Sequence, residues 1–131
     1  MKTLERHQLD NIMSTFVDEC NALYGNKLCD VRLFGSYARG DCNDDSDIDI
    51  LIILDMEDSE ARKSLDGVCH IASELDLKHN VVVSPVICSK REYDLRKQSY
   101  GFYGNVEKEG VSMHLSGFCD FAQNDGGRMR Y

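Results

Sequence analysis

The sequence predicts an α/β (α+β) domain, a small mixed sheet of three to five strands with helices packed on it. Three observations carry that expectation. One segment, residues 47–54, is an almost unbroken Ile/Leu run of strand length. Two others, near residues 4–24 and 59–77, repeat apolar residues at helical steps. Helical and extended patterns then alternate along a chain of 131 residues, which is the size of one domain.

Taken in order, Leu9, Ile12, Met13, Phe16, Cys20 and Leu23 recur every three or four residues and predict an amphipathic helix over 4–24, stopped by Gly25-Asn26. Residues 28–34 read as a strand with Cys29, Val31 and Leu33 on one face and Asp30 and Arg32 on the other. Gly35-Ser36 breaks it, and residues 37–40 form a helical turn. A polar loop over 41–46 leads into the 47–54 strand. Ser59 is the expected N-cap of the second long helix, with Leu65, Val68, Cys69, Ala72 and Leu75 as its apolar stripe. A third strand runs over 81–88, with Pro85 marking an edge or a bulge. Ser89 and Glu92 form a capping-box pattern opening a helix over 90–98. A short helix over 103–109 is closed by Gly110, and 111–115 is expected as a last edge strand. Residues 1–115 are thus one domain, and the Gly/Asn/Asp/Gln-rich residues 116–131 a flexible tail.

Composition narrows the function. The chain carries 23 acidic and 15 basic residues, a net charge of −8. The excess is concentrated: between residues 40 and 60 stand Asp41, Asp44, Asp45, Asp47, Asp49, Asp55, Glu57, Asp58 and Glu60, with no Lys or Arg among them. A pI near 4.9 argues against binding a nucleic-acid polymer, which needs a basic stripe. No apolar run approaches the roughly 18 residues of a membrane span. The charged N-terminus lacks a secretory h-region, so a cytoplasmic location is expected. The six cysteines show neither CxxC nor paired Cys/His spacing, and are expected to be reduced thiols, several of them filling core positions.

Asp47 and Asp49 are two apart on a strand, so their side chains share a face at a Cβ separation of roughly 6–7 Å. Asp is unfavourable in strands, and two like charges so close are costly unless a cation lies between them. Hard oxygen ligands at this reach suit Mg²⁺ or Mn²⁺. An isolated Asp-x-Asp can equally open an exposed sheet face. Ile48, Ile50, Ile52 and Leu54 can fill the buried face, leaving the Asp face polar. Upstream, Gly35-Ser36 lies at a strand-to-helix turn, where glycine admits a ligand close to the backbone and the amides and the Ser36 hydroxyl suit phosphate oxygens. Arg39 is either a further phosphate contact or a solvent-exposed helix residue.

The combination Gly35-Ser36, ten residues, Asp47-x-Asp49 resembles the nucleotidyltransferase domain of the DNA polymerase beta superfamily, whose signature is G-S-x10-D-x-D. Leu33-Phe34-Gly35-Ser36-Tyr37-Ala38-Arg39-Gly40-Asp41 and Ser46-Asp47-Ile48-Asp49-Ile50-Leu51-Ile52 look like its minimal, MNT-type members, and Phe102 to Gly110 like the tail of small stand-alone ones. The resemblance implies a polymerase-beta-like fold and an ATP or other NTP substrate held by Gly35, Ser36 and Arg39. It further implies Mg²⁺ or Mn²⁺ on Asp47 and Asp49, with Ser36, Asp47 and Asp49 as the catalytic set. The superfamily usually adds a third carboxylate from a later strand. Here that strand reads Asn80-Val81-Val82-Val83-Ser84-Pro85 and has none, leaving His79, a group outside the strand, or the acceptor itself.

What the resemblance implies is AMP transfer to a protein acceptor, a HEPN-type partner in a toxin–antitoxin pair, or a second copy of the chain. Two alternatives stay open: a degenerate fold that binds a partner without chemistry, and a small-molecule transferase of the aminoglycoside-modifying kind. The basic cluster Lys90, Arg91, Arg96 and Lys97 reads as a solvated helix face. Tyr93, Tyr100, Phe102 and Tyr103 read as core or partner packing.

Overall fold

A computed structural model of the chain describes residues 4–98 and 101–113. The chain runs α1 (Arg6–Tyr24), a 3-10 turn, β1 (Leu28–Phe34), α2 (Gly35–Arg39), β2 (Ile48–Leu54), α3 (Asp58–Lys63), α4 (Leu65–His79), β3 (Val83–Ser89), α5 (Lys90–Arg96), α6 (Phe102–Glu109) and β4 (Val111–Ser112). The strands form one mixed sheet in the order β3-β2-β1-β4. β1 pairs antiparallel with both β2 and β4, and β2 pairs parallel with β3 through the α3–α4 crossover. This is the expected class and strand number. The Tyr100 and Cys119 assignments, the end of the 111–115 strand and the 116–131 tail lie outside the described residues.

β2 is the hub because it is apolar on both faces. Ile48, Ile50, Ile52 and Leu54 point into the main core with α1 and α4, among Ile12, Met13, Phe16, Val68 and Leu75. Leu51 and Ile53 point the other way, into a smaller cluster with Cys88, Tyr93 and Val106 under α5 and α6. The expectation of one wholly polar Asp face is therefore corrected: only the start of the strand is polar, because two helices cover the rest. Each fully buried Ile or Leu contributes roughly 1.5–3 kcal/mol over an exposed one, so both faces fix β2 in place.

Several boundaries differ from expectation for identifiable reasons. The 59–77 helix is two helices. Glu57 and Glu60 form a reciprocal capping box that starts α3 before Ser59. At the other end Ser64, with ψ flattened to −5°, separates α3 from α4, and its hydroxyl donates to the Glu60 carbonyl at 3.0 Å. After that break the buried stripe of α4 is Val68, Ile71, Ala72 and Leu75, while Leu65 and Cys69 are exposed. In β1 a register shift between Leu28 and Asp30 turns Cys29 to the smaller cluster, and Leu28 joins Val31 and Leu33 in the main core. Leu23 is half exposed rather than part of the α1 stripe. Pro85 sits on edge strand β3 in unbroken register, so it marks an edge without a bulge. His79 ends α4 instead of opening a strand.

Other readings stand as expected. Ser89 Oγ accepts from the Glu92 N–H at 3.0 Å at the start of α5. The basic residues of α5 and the turn after it form ion pairs on the surface, Lys90 and Lys97 with Asp94, and Arg96 with Glu92. Arg91 pairs with Asp58, which also accepts from Ser89 Oγ at 2.5 Å, so this acid links α3 to α5 instead of only solvating a helix start. Among the described residues Cys20, Cys29, Cys42, Cys69 and Cys88 are free thiols, and burial pushes Cys20 and Cys88 up to about 12.

Candidate functional site

The site forms where β1 ends and β2 begins. Phe34 and Asp49 are register partners, so their side chains leave the sheet on the same face, and Ser84 of β3 flanks Asp49 on the other side. This is the face of Leu51 and Ile53, but one step beyond the cover that α5 and α6 give them. Asp49 is accordingly half-buried, and Asp47, one residue before β2, is exposed.

The turn after β1 depends on glycine. Gly35 has φ of +75°, a conformation L side chains rarely adopt. A Cβ at this position would overlap the Asp49 carboxylate. The backbone of the Gly35-Ser36 turn therefore passes directly against Asp49, with nothing between. α2 is closed by Gly40, also at positive φ, whose N–H donates to the Ser36 carbonyl at 2.9 Å. The loop that follows is tied by Asn43, whose N–H donates to Ser46 Oγ at 2.9 Å and whose side-chain oxygen accepts from the Asp45 N–H at 2.8 Å. That turn delivers Asp47 to the head of β2.

α6 closes the far side. Val106 is buried in the smaller core, Tyr93 Oη donates to Glu107 at 2.5 Å, and Arg32 donates to the Gly110 carbonyl at 3.0 Å. Between α2 and α6 lies a cleft of about 350 Å³. Its floor and near wall are Gly35, Ser36, Arg39 and Asp49. Phe34, next to Gly35, and the α6 residues Phe102, Asn105, Val106 and Glu109 complete the lining. Arg39 spans the two walls, donating to Asp41 at 3.2 Å and to Glu109 at 3.4 Å.

Four of the five residues singled out from sequence thus line one cleft. Asp47 does not line it, yet its charge acts on Asp49. Burial first, and then the neighbouring Asp47 carboxylate, hold the Asp49 carboxyl above the usual carboxylate range, with Arg39 pulling partly the other way. A half-buried carboxylate that faces an open cleft, with a second carboxylate acting on it, fits a small hard cation. The donor set is oxygen only. Among the described residues no group of three His, Cys, Asp or Glu completes it, and the β3 position beside Asp49 is Ser84.

The sequence reading missed the α6 wall. Its signal was present: Phe102, Asn105, Val106 and Glu109 stand at i, i+3, i+4 and i+7, one face of a helix.

Comparison with known proteins gives four findings. The family model described as a nucleotidyltransferase domain matches residues 13–119. A Methanocaldococcus jannaschii protein provisionally named a protein adenylyltransferase is 34% identical over 101 residues, which span 77% of this chain and 93% of that one. A second from the same organism, with the same provisional name, is 35% identical over 83 residues, spanning 63% of this chain and 82% of that one. A solved structure of a toxin–antitoxin with AMP-PNP superposes with a TM-score of 0.48 at 24% identity, over 79% of this chain and 70% of that one.

Proposed function

This chain belongs to the nucleotidyltransferase domain family, and from that premise we propose that it transfers AMP from Mg²⁺-bound ATP to a protein, as the antitoxin of a HEPN/MNT toxin–antitoxin pair. The observation that carries the chemistry is the Gly35-Ser36 backbone lying against the Asp49 carboxylate in one open cleft. The provisional names of the two archaeal relatives support a protein acceptor and an adenylyl group. The antitoxin assignment is supported by the wording of residues 33–52, which resembles MNT-type domains.

In this reading Asp47 and Asp49 hold the metal. Mg²⁺ bound there would offset their mutual repulsion and neutralise charge on the phosphates during transfer. Gly35 lets the triphosphate approach the backbone, and the Ser36 hydroxyl donates to a phosphate oxygen. Arg39 exchanges its exposed partners Asp41 and Glu109 for phosphate, a stronger and bidentate partner. The acceptor oxygen attacks the α-phosphorus, the bond to the β-phosphate oxygen breaks, and pyrophosphate leaves. Ser84 does not ionise near neutral pH, so no β3 side chain takes the acceptor proton, which passes to water or to a group the acceptor brings. What the protein supplies is positioning and a prearranged field. The domain limits of 1–115, with a separate tail, belong to the same proposal.

The test is incubation with α-labelled ATP, Mg²⁺ and the product of the adjacent gene. Label is expected on the partner, and it is lost with EDTA or in Asp47→Asn and Asp49→Asn. A tight complex with no label, unchanged in those variants, would replace this proposal with a non-catalytic binder.

A further inference from the structure

The lining of the cleft has two chemically different parts, and the proposed chemistry uses only one. Gly35, Ser36 and Asp49 make a polar part for phosphates and metal. Beside it is an aromatic part that has no role in moving a phosphoryl group. Phe34 and Phe102 meet there edge to face, ring centroids 5.3 Å apart at 85°. Phe102 is also held by Tyr103 at 5.1 Å, yet it stays 42% exposed. A large aromatic ring that is fixed in place and left uncovered offers a platform without further ordering. One helical turn on, at i+3 and so on the same face, Asn105 is exposed at the cleft wall. Its carboxamide presents a donor and an acceptor side by side.

We propose that the Phe34–Phe102 pair is the nucleobase platform and that Asn105 reads the base as adenine. This rests on the nucleotidyltransferase reading and deepens it by assigning base specificity to α6. A flat apolar ring attached to a triphosphate fits a cleft whose lining joins polar groups to an aromatic pair. Its volume of about 350 Å³ lies at the small end of ligand pockets, which run from about 300 to 1,000 Å³. Adenine carries an amino donor next to a ring-nitrogen acceptor, the complement of a carboxamide. Guanine presents two adjacent N–H donors on its Watson–Crick edge, the complement of a carboxylate. Asn105 therefore favours adenine, and an Asp in its place would favour guanine.

The experiment measures binding of the non-hydrolysable α,β-methylene analogues of ATP and GTP, and of inorganic tripolyphosphate, to the full chain in Mg²⁺ by calorimetry. Phe102→Ala is expected to weaken both nucleotide analogues about tenfold, the scale of one base–aromatic stack, and to leave tripolyphosphate unchanged. Asn105→Asp is expected to move the ATP-to-GTP affinity ratio about tenfold toward guanine, a reversal that misfolding cannot produce. If both variants bind all three ligands as the wild type does, the base site is wrong while the nucleotidyltransferase reading stands. Equal weakening of tripolyphosphate by Phe102→Ala also overturns it. If the wild type binds tripolyphosphate but neither analogue, the base site falls alone. If it binds none of the three, both readings fall.

Discussion

The two faces of the sheet are built on opposite principles. Under α1 and α4 the face is closed: Ile12, Met13, Phe16, Ile50, Ile52 and Val68 have no exposed surface. Under α5 and α6 the face is shorter and stops at Leu51, leaving Asp49 and a cleft where the closed face has Ile48 and Ile50. The same strand supplies both. Alternation along β2 sends one set of side chains into the closed core and the other, at the strand's start, to the cleft proposed as the active site. The proposed site is a local withdrawal of cover beside a closed face that holds the strand in place.

The sharpest way to break that division is to damage each face and read both stability and activity. Phe16→Ala empties a fully buried ring on the closed face and should cost about 3–5 kcal/mol of unfolding free energy, measured by urea denaturation. Asp49→Asn should leave the fold intact and reduce adenylyl transfer by about 100-fold or more, the scale of losing one prearranged electrostatic group. If Asp49→Asn instead unfolds the chain, the two faces are not separable. Gly35→Ala comes next: it forces an alanine to positive φ and presses a methyl on the Asp49 carboxylate. A loss of about 1–3 kcal/mol is expected, seen as weaker Mg²⁺–ATP binding and a lower melting temperature together.

The smallest effect has the most telling sign. The folded state holds the Asp49 carboxyl above its usual range, so that carboxylate costs stability at neutral pH. The cost disappears as pH falls through the raised value, because the folded chain then binds the proton more readily than the unfolded one. Asp49→Asn should therefore raise the melting temperature at pH 7 by the equivalent of less than about 1 kcal/mol, since the group is only half-buried. The gain should vanish near pH 3, below the ordinary Asp value of about 3.9. A variant less stable than wild type at pH 7, judged by calorimetry, would mean that Asp49 is held by favourable contacts and not by repulsion.

Much of this was legible in the sequence, and the parts that were not share a physical cause. The α1 stripe and the Ile/Leu run of β2 are local patterns that named their elements, and the Gly35-Ser36 to Asp49 spacing named three residues that line one cleft. The α3–α4 break was not visible because it is a change of backbone angle at Ser64 alone, inside a stretch whose residue pattern is helical throughout. Cys29 was assigned to the wrong face because a bulge resets alternation, and nothing in the residues near Leu28 announces one. Asn105 and Glu109 lie more than 50 residues from the motif. They belong to the site only because Arg32, Tyr93 and Val106 dock α6 against the sheet, a long-range fact that periodicity does not carry.

β2 is paired on both sides, antiparallel to β1 and parallel to β3, and the two pairings close over different lengths of chain. The β1–β2 partnership joins segments close in the chain. The β2–β3 ladder must wait for the α3–α4 crossover, a longer closure of the kind that slows folding. Asp49 is flanked by Phe34 from the shorter closure and by Ser84 from the longer one. The full signature motif therefore emerges from the ribosome well before the strand that steadies it. A nascent chain would carry both aspartates and the Gly-Ser turn yet lack the α6 wall of the cleft, so the site matures only when nearly the whole domain is complete.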